Sequence, residues 1–170
     1  HWMVHSFPTR RSSDLPGSHV LGWGAVRWEG PQALSAVAFG ALRVPPDLKG
    51  GARLLMIRRG VDAILARIAP DAVALEEVFY GRNFQSALTI GEVRGVCLLA
   101  AAEGGFATYG YSAAEVKAAV TGNGRAHKSQ VTAMVARILR LTQPPRPADA
   151  GDALACALCH ANRLTFPAAR

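Results

Sequence analysis

The order of patterned segments predicts an α/β fold, a mixed sheet with helices on its faces. Two observations carry this. Near the start, His19 to Trp28 (HVLGWGAVRW) and Ser35 to Leu42 (SAVAFGAL) alternate in the manner of strands. After them, helical and strand-like segments take turns along the rest of the chain.

The elements follow in order. From Ala52 onward, Leu54, Leu55, Ile57, Val61, Ile64, Leu65 and Ile68 recur at helical spacing, and Pro70 stops the helix. Asp71 to Phe79 (DAVALEEVF) reads as a buried strand that ends in two carboxylates. Gln85 to Ala102 predicts a second helix, apolar on most faces. Phe106 to Tyr111 is a short strand, Ala113 to Val120 a helix, and TGNGRAH a glycine-rich loop. Lys128 to Leu141 gives a helix with cations in its last turns. QPPRP is a rigid break, and Ala148 to Leu164 is the last helix. No internal repeat is visible.

A chain of 170 residues suggests one domain with a real core. Its hydrophobic share of 50% argues against disorder. The net charge of +7 suggests a polyanionic partner, most often nucleic acid. A basic solvated surface would give the same balance, so charge alone leaves both open. The longest apolar run, near Val96 to Ala102, is too short to span a bilayer, so no membrane association is expected. No apolar run marks a signal peptide. Three cysteines in apolar settings suit a reducing cytoplasm, the expected location.

The carboxylates carry the chemistry. Alternation along a strand sends Glu76 and Glu77 to opposite faces, so only one can enter a given site. Asp149 and Asp152 are three apart at the start of the last helix and share a face. Acids in a first helical turn also cap the helix and meet its dipole favourably. Spacing therefore leaves capping and metal binding both open. A hard cation such as Mg²⁺ takes carboxylate oxygens and water, and a pair of such ions suits phosphodiester hydrolysis.

Three runs occur in sequence: ALEEVFYGRNFQSALTIGEVRG, YSAAEVKAAVTGNGRAHKSQV and PRPADAGDALACALCHA. Together they resemble the RuvC family of Holliday junction resolvases, over Pro16 to about Arg163. The resemblance implies an RNase H-like fold with a sheet of about five strands, and a homodimer that cuts four-way junction DNA in homologous recombination and repair. It implies two Mg²⁺ per active site, with Mn²⁺ able to substitute, and branch-migration proteins as partners. Glu76 matches the family's second catalytic carboxylate, while Glu77 matches a position that is not catalytic. Asp149 and Asp152 match the third and fourth acids. The implied catalytic and metal-binding set is thus Glu76, Asp149 and Asp152. Phe79 matches an aromatic used against unstacked bases, though a core Phe at a strand end would read the same. Lys117 and Lys128 match basic residues that face DNA, where a solvated helix face is the plainer alternative.

The family's first acid belongs to an opening strand that ends in Asp-Pro-Gly and then Ser. This chain has Leu15-Pro16-Gly17-Ser18, with Leu15 where the Asp belongs. Asp14 is one residue early, and a one-residue slip turns a strand side chain to the other face. The preceding residues explain the loss. His5 to Leu15, HSFPTRRSSDL, is the translation of the end of a common short-read sequencing adapter. Residues 1–15 are therefore read as an artefactual, non-native segment, and 16–170 as the genuine nuclease domain. The first strand is expected to be missing or replaced. An apolar Leu15 in the acid's place is expected to leave the literal chain unable to cut.

Two further signals are weaker. Cys156-Ala-Leu-Cys159-His160 matches the C-x-x-C-H pattern of c-type haem attachment, but it lies inside a helical run where both cysteines fit apolar positions. Gly122-Asn123-Gly124-Arg125 precedes a helix and could cradle a DNA phosphate, with Arg125 and Lys128 nearby; a plain turn is the alternative. By resemblance the activity is metal-dependent hydrolysis that leaves a 5′-phosphate and a 3′-hydroxyl. The alternative is a junction-binding protein without cleavage.

Overall fold

The computed structural model describes residues 2–9, 19–30, 33–77 and 84–165. Five strands, β1 (Trp2–Thr9), β2 (His19–Trp28), β3 (Leu34–Val44), β4 (Ala72–Glu76) and β5 (Ala107–Tyr111), form one sheet. Its order is β3-β2-β1-β4-β5. The pairs β3·β2 and β2·β1 are antiparallel, whereas β1·β4 and β4·β5 are parallel. The helices are α1 (Gly50–Ile68), α2 (Phe84–Glu103), α3 (Ala113–Thr121), α4 (Lys128–Ile138) and α5 (Ala148–Thr165). This is the α/β architecture that the sequence predicts.

Strand alternation divides the core into two. On one face Val73 and Leu75 of β4 pack with Leu21 of β2, with Ile57, Val61 and Leu65 of α1, and with Val93, Cys97, Ala100 and Ala101 of α2. On the other face Ala72 and Ala74 of β4 and Val26 of β2 pack against α3, α4 and α5. The period of two along β4 therefore places Glu76 on the α5 side. The buried residues of α1, Arg53, Ile57, Val61 and Leu65, recur every four positions, as one helix face must. That helix ends at Ala69, in the left-handed region (φ 46), just before Pro70.

The central place in the sheet, expected to lack its native strand, is filled by Trp2–Thr9. Ser6 stands opposite Trp23 on β2 and opposite Leu75 on β4. With Trp2–Thr9 the sheet reaches the five strands expected, the other four being β2 to β5. The reason lies in the backbone. Every residue but proline carries the same main-chain donor and acceptor, so a slot with two open edges accepts any extended segment. Asp14 and Leu15 lie outside the described residues. The hairpin of β2 and β3 is as expected, closed by the Glu29 N–H to the Ala33 carbonyl at 3.0 Å.

Other boundaries agree to within a few residues. The 128–141 helix stops at Ile138, because Arg140 turns into the left-handed region (φ 53). Two capping boxes start α3 and α4: Ser112 with Glu115, and His127 with Gln130.

Candidate active site

Glu76 is the last residue of β4, where the sheet stops and the α5 face opens. Two neighbours hold this strand end. Arg94 of α2 donates from Nε to the Glu76 carbonyl at 3.3 Å. On the other side Tyr111 of β5 is the register partner of Glu76, and the Glu77 N–H donates to the Tyr111 carbonyl at 2.8 Å.

Asp149 and Asp152 lie in the first turns of α5. Asp149 is buried and Asp152 keeps 20% of its side chain exposed. This helix lies close against β2 because of two glycines on one face of that strand. A Cβ on Gly22 would sit 2.2 Å from the Asp149 carbonyl oxygen, and one on Gly24 would sit 2.8 Å from Leu154 Cδ2. No side chain fits at either place. Small residues on the helix, Ala150, Ala153, Ala155 and Ala157, complete the close approach.

Cations face these acids. Lys128, the first residue of α4, donates to Asp152 Oδ2 at 2.7 Å. Burial is the main cause that raises the Glu76 pKa to about 7; the charge of Asp152 raises it further, and Lys117 and Lys128 oppose both. Asp152 is also pushed up, chiefly by burial, with Lys128 acting against it and Asp149 with it. Glu76, Asp152, Lys117 and Lys128 thus share one electrostatic neighbourhood.

The donor set suits a hard divalent cation: Glu76, Asp149 and Asp152 offer oxygen only. Asp152 already holds a positive charge, the Lys128 ammonium, and a cation would offset the burial and the Asp152 charge that raise Glu76. Among the described residues, however, no group of three or more His, Cys, Asp or Glu side chains is gathered so as to hold a metal ion. The chemistry of the residues fits Mg²⁺, while Lys128 takes part of the space among them.

The remaining sequence candidates fall as follows. Phe79 lies outside the described residues. Arg125 is exposed in the loop between α3 and α4. The amides of that loop are used internally: Asn123 N–H donates to Thr121 Oγ1, Arg125 N–H to Asn123 Oδ1, and Ala126 N–H to the Asn123 carbonyl. Any phosphate contact there falls to the Arg125 side chain rather than to these three amides. Cys156 and Cys159 are buried in α5, and burial, with a smaller push from Glu115, raises the Cys159 thiol to about 11. His160 is buried and bonded to Tyr111. The C-x-x-C-H pattern is therefore a core face of a helix, with no thiol presented for haem. Arg94, Tyr111 and the glycine pair went unnoticed in the sequence. Two glycines spaced by two in a strand (VLGWGAV) do signal a close backbone approach.

A family model described as Crossover junction endodeoxyribonuclease RuvC matches residues 14–160. A protein of that description from Heliobacterium modesticaldum is 45% identical over 151 residues, covering 89% of this chain and 93% of its own. One from Chloroflexus aggregans is 47% identical over 146 residues, covering 86% and 88%. The Thermus thermophilus RuvC structure superposes with a TM-score of 0.82 at 32% identity, over 100% of this chain and 99% of that one. T. thermophilus RuvC in complex with Holliday junction substrate gives 0.81 at 33%, over 94% and 92%.

Proposed function

Since this chain belongs to the RuvC family of crossover junction endodeoxyribonucleases, we propose that it grips four-way DNA junctions on the face where Glu76, Asp149 and Asp152 open beside Lys117 and Lys128. The observation that carries this is the meeting of Glu76, at the end of β4, with Asp152 and Lys128, paired at 2.7 Å; burial and Asp152 hold the Glu76 pKa up, and the two lysines counter them. Acids crowded against cations at a strand end suit an anionic backbone with metal counter-charge.

Glu76, Asp149 and Asp152 are the residues that would hold Mg²⁺, two ions per site, with Mn²⁺ able to replace them. When bound, Mg²⁺ supplies Lewis-acid polarisation of the scissile phosphate and a nucleophile at neutral pH. The chain's own residues do the rest. The carboxylates fix the site's position at the end of β4 and the start of α5. Lys128 and Lys117 neutralise phosphates, and Lys128 leaves Asp152 when a phosphate or a cation takes over the pairing. Arg125 and Phe79 extend the DNA face, Arg125 by charge and Phe79 by stacking on an unpaired base.

Residues 1–15 act as a non-native segment, of which Trp2–Thr9 takes a strand's place in the sheet. The literal chain thus keeps the binding half of the function and lacks one of four anions for cleavage. Leu15 supplies no oxygen.

The working unit is a homodimer. On α2, Leu88 and Leu99 are each 53% exposed, and Gly91 and Gly95 between them have nothing within 4 Å of a Cβ position. Such a stripe lets two copies of the helix cross closely. Branch-migration proteins are the expected further partners. No helix among the described residues is long and apolar enough to cross a membrane. The three buried cysteines, none of them in a disulfide, suit a reducing cytoplasm.

Binding and cleavage of the same four-way junction, each with and without Mg²⁺, test this reading. Tight, salt-sensitive, junction-selective binding with little or no cutting is expected. Binding to linear duplex as strong as to the junction would overturn it.

A further inference from the structure

Tyr111 and His160 meet in the interior, one at the end of β5 and the other in the second half of α5. The Tyr111 hydroxyl lies 2.6 Å from His160 Nδ1, and both residues are buried. The Tyr109 ring, two residues back on the same face of the strand, lies 4.2 Å from the imidazole, centroid to centroid, and limits its tilt. Burial pushes the His160 pKa down, so the ring is neutral near pH 7. A neutral imidazole closes the bond in either tautomer, with Nδ1 accepting from the hydroxyl or donating to it.

The two elements joined here are the ones that present the acids. Tyr111 is the register partner of Glu76 and accepts the Glu77 N–H. The helix that carries His160 carries Asp152 about two turns and Asp149 about three turns earlier. Contact with Gly22 sets how near α5 comes to the sheet. A contact of that kind leaves the helix free to turn about its axis and slide along it. A directional hydrogen bond between two buried groups does not, because rotation or sliding would leave both unsatisfied.

We propose that Tyr111 and His160 are a positioning pair, whose hydrogen bond fixes the rotation and height of α5 against the end of β4 and so sets the spacing of Glu76 from Asp149 and Asp152. The inference rests on the reading of those three acids as one site. Neither Tyr111 nor His160 touches substrate; they act through the strand end and the helix they tie together.

The test uses the full chain with Tyr111→Phe, His160→Leu and His160→Asn. Tyr111→Phe removes only the hydroxyl and keeps the ring. Asparagine places an amide near the position of Nδ1 and can restore the bond. Crystal structures give the position of the first turn of α5 relative to Glu76, electron paramagnetic resonance gives the Mn²⁺ dissociation constant, and thermal unfolding reports the fold. Tyr111→Phe and His160→Leu should displace that turn and weaken Mn²⁺ binding about tenfold, the scale of losing a group that orients a ligand. His160→Asn should recover most of both. A lower Tm with unchanged spacing and an unchanged Mn²⁺ constant would reduce the pair to an ordinary core contact and overturn the proposal. If the parent chain binds no Mn²⁺, the metal reading of the acids fails instead. The crystallographic spacing then decides the positioning claim alone.

Discussion

Lys128 donates to Asp152 at 2.7 Å, so a cation already sits on one of the three acids. More than half of the lysine side chain is exposed. As a fold-stabilising contact such a pair is worth about 1 kcal/mol or less. Its importance is its place: the same ammonium lowers the pKa of both Asp152 and Glu76.

Lys128→Ala should weaken four-way junction binding about tenfold and reduce the slope of log affinity against log salt by about 1. Lys49→Ala, at the start of α1 and remote in the fold, should change neither. Titrations at several salt concentrations read both quantities. Equal effects from the two lysines would mean that diffuse charge, rather than a defined face, binds the DNA.

The missing acid gives the second expectation. With residues 1–15 exchanged for a natural opening strand ending in Asp, Mg²⁺-dependent cleavage should appear. The same exchange with Leu kept at position 15 should cut more slowly by a factor on the order of 10⁴, the scale on which a catalytic group acts. Single-turnover cleavage of a labelled junction measures the ratio. Equal rates would show that the first acid is dispensable.

Stability should depend on pH through Glu76. Its pKa is raised in the folded chain, from 4.5 to about 7, so the folded state favours the protonated form. The stabilisation is complete below pH 4.5 and is lost as pH climbs from 4.5 through about 7. At about 1.4 kcal/mol per unit, discounted for solvent screening, the loss is about 2 kcal/mol. Urea unfolding at pH 5 and pH 8 with a chelator present should show this loss in the parent and not in Glu76→Gln. Added Mg²⁺ should reverse it at pH 8.

Two glycines with opposite surroundings separate packing from assembly. Gly22→Ala pushes a Cβ into the Asp149 backbone and should cost about 1–3 kcal/mol of stability, read by denaturation. Gly91→Ala meets open space in the monomer, and its higher helix propensity should stabilise α2 by up to about 1 kcal/mol. If α2 crosses its copy there, the same change should weaken self-association in sedimentation experiments. An unchanged dimer would move the interface elsewhere.

Most elements were legible because their signals are local. The recurrence of Ile57, Val61 and Leu65 marks a helix face without reference to anything distant. Alternation in ALEE puts Glu76 and Glu77 on opposite sides, and the α5 face follows from the burial of Ala72 and Ala74. What escaped was set by tertiary contact. The filled central strand is one case, because main-chain pairing hardly depends on sequence. The Lys128–Asp152 pair and the Tyr111–His160 bond are others, since their partners come from separate elements. His160 did leave a trace: a histidine four residues after Cys156 on an apolar helix face signals a buried imidazole in need of a partner.

Glu76 comes from the middle of the chain, and Asp149 and Asp152 from the last described helix. A ribosome therefore exposes the strand end long before the helix that completes it. Until α5 emerges, the sheet face above Gly22 and Gly24 is bare and the acids cannot meet. The seat on two glycines is filled only when α5 docks, so the three acids come together late in synthesis.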